Sequence, residues 1–215
     1  MMSIPDNPSI DRRLLVFALL PSMTLHSSRW DAYQSAPFLA GLRSAPAHAR
    51  IWHRHWSQSI LRREKLPHIS SESLAVNGVA VAMSGPAELN ALARRVGAIV
   101  CGPRLRFAIS GAEVRALESA LGRDAFRLAC APAWREWGMP GSPFGSVQEA
   151  CEEVVRTGLS LLRSAFRGLP DGVGRRAELK LPLESESGFT IGVDDAMALI
   201  VALQAATEAR DVLPD

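Results

Sequence analysis

The sequence predicts a mainly α-helical protein that forms a single domain with a few short β-strands. Of its 215 residues, 47% are apolar and 21% are charged, which is the balance of a chain that buries a core. Alanine and leucine carry much of the apolar fraction, and both are strong helix formers. Long segments also repeat apolar residues at intervals of three and four, as a helix does when one face is buried.

The chain is predicted to begin with a short arm that precedes a single domain. Residues 1–12 are mostly polar and include two prolines, so we expect a flexible N-terminal arm with little to bury. The single domain is expected to span residues 13–215. Within it, residues 47–65 are predicted to form a helix rich in tryptophan, histidine and arginine, which Pro67 ends.

The strongest helix signals lie in the middle of the chain. Apolar residues recur at helical spacing over residues 86–100, which open on a proline suited to the first helical position. Ser110 and Ser146 are each followed three residues later by a glutamate, Glu113 and Glu149 respectively. This spacing predicts two capping boxes, in which serine and glutamate side chains satisfy free backbone N–H groups at a helix start.

Two later segments interrupt the helical pattern. Residues 138–145 hold three glycines and two prolines in eight positions and predict a loop or linker. Residues 177–183 alternate like a strand, with three leucines on one side, and Pro182 would confine that strand to a sheet edge. A last helix is predicted over residues 193–210.

The cysteines and the N-terminus indicate the cytoplasm. Cys101, Cys130 and Cys151 form no CxxC pair and lie in apolar, helix-like stretches, so we expect reduced thiols rather than a disulfide framework or a zinc site. The apolar run at residues 14–23 contains Pro21 and is too short to cross a bilayer. Because no signal peptide is recognisable, we expect a cytoplasmic protein with no transmembrane segment.

The densest group of reactive side chains lies between residues 48 and 63. On a helix His53 and His55 point in nearly opposite directions, and no carboxylate lies close enough in sequence to orient a histidine, so we predict no metal site. Tryptophan and arginine are common at the centres of protein interfaces. We predict a partner interface made of Arg50, Trp52, Arg54, Trp56, Arg62 and Arg63.

Two other interpretations of this segment stay open. Ordinary packing would bury Ile51, Trp52 and Trp56 and leave the arginines and histidines facing water or a partner. Interleaved arginines and tryptophans can also bind nucleic acid. Against that, Glu64 offsets part of the charge, and no RNA-recognition or zinc-finger signature accompanies the segment.

The sequence contains no catalytic or cofactor motif. There is no GxSxG, no HExxH and no glycine-rich loop ending in GKS or GKT. Adjacent carboxylates, such as Glu152 with Glu153 and Asp194 with Asp195, are explained by solvated helix faces and by helix N-termini, which favour negative charge. We therefore predict a protein that is not an enzyme, with no catalytic residue, no cofactor and no metal.

Four segments together resemble the SctK family of type III secretion systems, which includes YscK-like and PscK-like proteins. They are an apolar opening with a Leu-His pair at residues 14–26, and an apolar run, a glycine and a helix at residues 105–126. The other two are a Gly-Leu helix at residues 157–162 and a basic, leucine-rich, proline-ended stretch at residues 175–182. They occur in the family's order and span most of the chain.

This resemblance implies a non-catalytic adaptor subunit of the cytosolic sorting platform beneath the injectisome. SctK-like proteins link the SctQ pods, and through them SctL and the SctN ATPase, to the cytoplasmic domain of the inner-membrane ring protein SctD. The resemblance also implies a mainly helical protein without a cofactor. Its partners would hold it at the cytosolic face of the inner membrane.

A small helical DNA-binding regulator is the alternative function. Its phosphate contacts would come from Arg94, Arg95, Arg104 and Arg106. The net charge of +2, from 24 basic and 22 acidic residues, gives no reason to expect a polyanion as the main partner. The charge is nevertheless uneven along the chain, and a protein held between two different partners could use such separate basic and acidic segments.

Overall fold

The computed structural model describes residues 8–33, 48–108, 110–183 and 191–211. Within these ranges, side chains are described only for residues numbered from 12 to 207. The described residues form helices and turns, so the predicted mainly helical fold is confirmed. No β-strand lies among them, and the predicted short strands are therefore not confirmed.

The α-helices differ in length from one turn to almost six. In chain order they are α1 (Pro8–Leu19), α2 (Trp30–Tyr33), α3 (Ala49–Arg63), α4 (Ser71–Leu74), α5 (Val79–Met83), α6 (Pro86–Val100), α7 (Gly102–Leu105), α8 (Gly111–Leu121), α9 (Arg123–Cys130), α10 (Val147–Arg167), α11 (Asp171–Glu178) and α12 (Val193–Asp211). Short 3₁₀ helices cover Pro21–Met23, Ser27–Arg29 and Pro132–Trp137.

The chain divides into two compact units. Unit 1 comprises residues 1–86 and 169–184, and unit 2 comprises residues 87–168 and 185–215. The expectation of one domain over residues 13–215 stays a prediction. Of the predicted N-terminal arm, residues 1–7 lie outside the described residues, whereas the residues from Pro8 onward belong to α1.

Unit 1 is built around the buried side of α3. Trp52, Trp56 and Ile60 pack there with side chains from the turn before α2, from α2 itself and from the end of α11. The 3₁₀ helix Pro21–Met23 lies against α3, and α5 contacts both α1 and α11. Because α11 follows α3 by more than 100 residues in the sequence, this core depends on long-range contacts.

Three buried cations also connect the late segment of unit 1 to its early part. The Arg29 guanidinium donates from Nε to the Leu181 carbonyl at 2.8 Å, and Arg176 donates to the Pro67 carbonyl at 3.0 Å. Lys180 is 3% exposed and also donates to backbone carbonyls. Since a buried charge is stable only with polar partners, these bonds specify where the described residues 169–183 lie in unit 1.

The predicted strand over residues 177–183 is wrong. Helix α11 continues to Glu178, and the Leu181 N–H donates to the Glu178 carbonyl at 3.0 Å in the turn that follows. Leu179, Lys180 and Leu181 are all buried, which does not fit the alternation of a strand, while Leu183 is 52% exposed. The apolar alternation therefore arises from a turn packed into a core rather than from a sheet.

Unit 2 is built around the long helix α10. This helix contacts α8 and α12, while α9 contacts α7 and α8. Leu105, Leu117, Phe126 and Val154 lie in the core that these helices share. The predicted loop at residues 138–145 belongs to this unit, where the Met139 N–H donates to the Val100 carbonyl at 2.9 Å.

One predicted capping box is confirmed in full and the other differs in one bond. Ser110 Oγ accepts from the Glu113 N–H at 3.1 Å, and the Glu113 carboxylate accepts from the Ser110 N–H at 3.2 Å. At the start of α10, Ser146 Oγ accepts from the Glu149 N–H as predicted. The Glu149 carboxylate instead accepts from the N–H of Gly145, one residue earlier, at 2.7 Å.

Candidate functional site

The two tryptophans of the predicted interface lie in the core of unit 1. Trp52 and Trp56 are 2% and 1% exposed, and their rings stack at a centroid distance of 5.3 Å. Trp56 Nε1 donates to the Tyr33 carbonyl at 2.9 Å, while Trp52 Nε1 has no hydrogen-bond partner among the described residues. This burial removes both indole rings from any surface of the folded unit.

The opposite side of α3 carries charge and one exposed apolar residue. Ile51 is 67% exposed, so the expectation that it packs with the tryptophans is wrong. Arg50, Arg54, His55 and Arg62 are exposed with it. We call these five residues the α3 outer face. Their spacing places them together because residues three to four apart share one side of a helix.

The three arginine side chains of the α3 outer face make no bonds to the described part of the chain. Among the described residues, Arg50, Arg54 and Arg62 have no ion-pair or hydrogen-bond partner, and no carboxylate lies on this face. Arg63 differs, because its guanidinium donates to the Ala32 carbonyl and lies 5.1 Å from the Tyr33 ring centroid. Of the predicted interface, Arg50, Arg54 and Arg62 are therefore the side chains that are exposed and without a bonding partner among the described residues.

The histidines of α3 are separated by the helix. His53 turns toward the 3₁₀ helix Pro21–Met23, where its Nδ1 lies 3.0 Å from Ser22 Oγ. Ser22 Oγ also lies 2.7 Å from Ser57 Oγ, whereas His48 and His55 are exposed. No group of three metal-ligating side chains occurs within the described ranges. Sequence reasoning did not identify Ser22, because no local pattern links it to a helix that begins 27 residues later.

A cluster of charged side chains lies at the C-terminal end of α3. The Glu64 carboxylate accepts from Tyr33 Oη at 2.5 Å and from Arg175 at 2.7 Å, and Arg175 also pairs with Glu178 at 2.9 Å. Burial would raise the pKa of Glu64, but the hydrogen bonds from Tyr33 and Arg175 hold it below its usual 4.5. Burial and the bond to Glu64 raise the pKa of Tyr33 to about 12.

Replacing Glu64 with glutamine is expected to lower the free energy of unfolding of unit 1 by about 1–2 kcal/mol near neutral pH. A carboxylate whose folded-state pKa is depressed stabilises the fold above its unfolded-state pKa, and that contribution is lost as the pH falls through the folded-state value. The difference in the free energy of unfolding between the wild type and Glu64→Gln should therefore shrink below pH 4.5. Urea unfolding over a series of pH values measures it.

Glu72→Gln is the matched control for this experiment. Glu72 lies exposed in the first turn of α4, and its carboxylate has no bonding partner among the described residues. We expect this variant to follow the wild type at every pH. An equal loss of stability in both variants, or a Glu64→Gln effect that persists in acid, would contradict the role of the Glu64 cluster.

Most of the arginines assigned to a DNA-binding regulator are engaged within unit 2. Arg95 pairs with Asp124 at 2.8 Å, and Arg104 and Arg106 donate to backbone carbonyls at 2.8 and 2.9 Å. Arg94 alone of the four is exposed with no bonding partner in the described part of the chain. These contacts give three of the four arginines a role in the fold and leave nothing that favours a DNA-binding regulator.

The three cysteine thiols are buried or half-buried. Cys101 is buried, and burial raises its pKa to about 11. Cys130 and Cys151 are half-buried, and burial also raises the pKa of both. Because the thiolate is the nucleophilic form, these cysteines are poorly suited to nucleophilic chemistry.

Comparisons with known proteins identify the family. No helix among the described residues has the length and apolar character needed to cross a membrane. No curated protein and no solved structure matches the chain. A model of the family described as YOP proteins translocation protein K, or YscK, matches residues 17–206 and so includes most of both units. This match confirms the resemblance found in the sequence, and the chain belongs to the YscK family of type III secretion proteins.

Proposed function

We propose that this chain is a non-catalytic adaptor of the type III secretion sorting platform. It links the SctQ–SctL–SctN complex to the cytoplasmic domain of the ring protein SctD and lies at the cytosolic face of the inner membrane through these partners. Membership of the YscK family supports a role in the secretion machinery, since this is a family of secretion proteins and not a known family of enzymes.

The observation that carries the proposal is the unpaired charge of the α3 outer face. Arginines that stabilise this fold have bonding partners: Arg175 pairs with Glu64 and Glu178, and Arg176 donates to a backbone carbonyl. Arg50, Arg54 and Arg62 have no such partner among the described residues, yet they share one side of a regular helix with the exposed Ile51. A regular helix that presents several exposed cations beside an apolar residue suits an acidic protein surface.

The α3 outer face meets an acidic face of either the ring protein or the pod protein. Guanidinium groups form two parallel bonds to a carboxylate, which provides specificity as well as attraction. Complementary charge of this kind mainly speeds association and selects the partner. Binding through this face should therefore weaken as salt screens the charges.

Reversing Arg54 and Arg62 to glutamate is expected to weaken binding to one of the two partners by about tenfold or more, because attraction becomes repulsion. Co-purification with the SctD-like cytoplasmic domain and with the SctQ-like protein, followed by titration at two salt concentrations, measures the loss. Circular dichroism should show an unchanged fold, since both side chains are exposed.

The control reverses two exposed arginines elsewhere. Arg123 and Arg127 lie on α9 in unit 2, and the described residues offer neither of them a bonding partner. The variant Arg123→Glu/Arg127→Glu changes the net charge by the same amount and should keep both interactions. Unchanged binding of the α3 variant to both partners would refute the proposed interface.

A further inference from the structure

Unit 2 contains a small cleft that is separate from the α3 outer face. Its volume is about 180 Å³, and its walls come from α7, α8, the loop at residues 138–145 and the start of α10. The buried side chains of Leu105, Leu117 and Ala150 form the floor. Phe107 lies at its edge with 54% of its surface exposed, which is unusual for a phenylalanine beside an apolar floor.

A fixed cation stands beside this apolar floor. Arg104 Nε donates to the Ser142 carbonyl at 2.8 Å, and the guanidinium lies 3.8 Å from the centroid of the Phe144 ring. These two contacts orient the side chain without neutralising it. Its two terminal amino groups have no partner among the described residues, so they can bind a carboxylate.

The two acidic side chains near the cleft are already committed to helix starts. The Glu113 carboxylate accepts from the Ser110 N–H, and the Glu149 carboxylate accepts from the Gly145 N–H. Neither carboxylate has an ion-pair partner among the described residues, and the Arg104 guanidinium is committed to Ser142 and Phe144 rather than to an acid. The cleft therefore combines an apolar floor with an oriented guanidinium that pairs with no carboxylate among the described residues.

From this geometry we propose that the cleft is a docking site for a protein segment that inserts one large apolar side chain and places a neighbouring carboxylate on Arg104. The volume suits a single side chain, since pockets for small-molecule cofactors begin at roughly 300 Å³. The apolar floor takes the side chain and excludes water, while the charge of Arg104 selects an acidic neighbour over a basic one.

The test uses three synthetic peptides and the full chain. The first places leucine between aspartate and glutamate in a glycine-serine context, the second replaces the leucine with serine, and the third replaces both acids with their amides. Titration followed by two-dimensional amide NMR should show saturable binding of the first peptide, with shifts concentrated around Phe107, Phe144 and Val147. The other two peptides should bind about tenfold more weakly.

Two variants of the chain locate the contacts. Arg104→Gln should weaken binding of the first peptide about tenfold. The first peptide and the amide peptide should then bind with equal affinity. Because Arg104 also supports the loop through Ser142, Phe107→Ser provides a second test on an exposed side chain. Phe107→Ser should weaken binding of the leucine peptide. The difference in affinity between the acid and amide peptides should remain.

Matched controls make a negative result informative. Arg127→Gln removes an exposed arginine elsewhere in unit 2, and Met139→Ser removes another exposed apolar side chain, 46% exposed. Both should bind like the wild type, as should the Arg54→Glu/Arg62→Glu variant, so this test can fail while the α3 interface stands. No saturable binding, equal binding of all three peptides, or shifts away from the cleft would overturn the proposal.

Discussion

Replacing Gly158 with alanine is expected to lower the free energy of unfolding of unit 2 by about 3 kcal/mol. Gly158 lies in the middle of α10, where alanine would ordinarily strengthen a helix by about 1 kcal/mol. The expected sign is reversed because there is no room for a methyl group. A Cβ at Gly158 would overlap the backbone carbonyl of Ala93 on α6.

The clash cannot be relieved by turning a side chain. A Cβ at Gly158 would also lie 2.9 Å from the Ala93 Cα, and a Cβ at Gly97 on α6 would lie 2.9 Å from the Val154 carbonyl carbon on α10. The helices α6 and α10 thus meet backbone to backbone, with a glycine from each at the contact. A methyl group there would push two regular helices apart, together with the side chains that fill the core on both sides.

Urea unfolding followed by circular dichroism measures this effect, with Gly111→Ala as the control. Gly111 is the first residue of α8, and its nearest obstacle to a Cβ is the flexible end of the Arg115 side chain at 3.4 Å. Alanine should be neutral or slightly stabilising there. Similar stabilities for Gly158→Ala and Gly111→Ala would show that α6 and α10 do not touch as described.

Replacing Lys180 with methionine is expected to lower the free energy of unfolding of unit 1 by about 3 kcal/mol. Methionine keeps the length and apolar stem of lysine but removes the ammonium group. Lys180 Nζ donates to the carbonyls of Ala82 and Ser84 at 2.8 and 2.9 Å, and it lies 4.6 Å from the centroid of the Phe17 ring. Methionine would leave those acceptors without this donor inside the unit.

The other lysine of the chain provides the control. Lys65 is exposed at the end of α3, and methionine there removes the same charge without removing a buried donor. Lys65→Met should unfold at the wild-type urea concentration, and Lys180→Arg should recover part of the stability that Lys180→Met loses. If Lys180→Met were as stable as Lys65→Met, the bonds to Ala82 and Ser84 would contribute nothing to unit 1.

The burial of Lys180 also explains why the strand prediction over residues 177–183 is wrong. In sequence, Lys180 stands between two leucines of that stretch, and alternation of charged and apolar residues ordinarily indicates a half-buried strand. In the folded unit Lys180 is buried and donates to the backbone carbonyls of Ala82 and Ser84, on a distant segment. The strand prediction assumed that charge faces water, and long-range hydrogen bonds made that assumption false.

The same limit applies to the candidate interface. The spacing of α3 places Trp52 and Trp56 on one side of the helix, as the packing interpretation expects, but it does not decide whether Ile51 belongs to that side. Tyr33, whose carbonyl accepts from Trp56, and Leu179, which packs in the same core, decide that Trp52 and Trp56 lie inside and that Ile51 lies outside. The cleft beside Arg104 could not be predicted from the sequence either, because its walls come from four separate segments.

The helical class, the secretion family, the helix start at Pro86 and the helix caps at Ser110 and Ser146 were all predictable from the amino-acid sequence. These features depend on composition, on apolar spacing and on serine and glutamate three residues apart, all of which act within a few residues. The exposure of Ile51, the burial of Lys180 and the acceptors that Lys180 binds became known only from the folded structure. Those outcomes depend on contacts between segments far apart in the chain, and no local pattern records them.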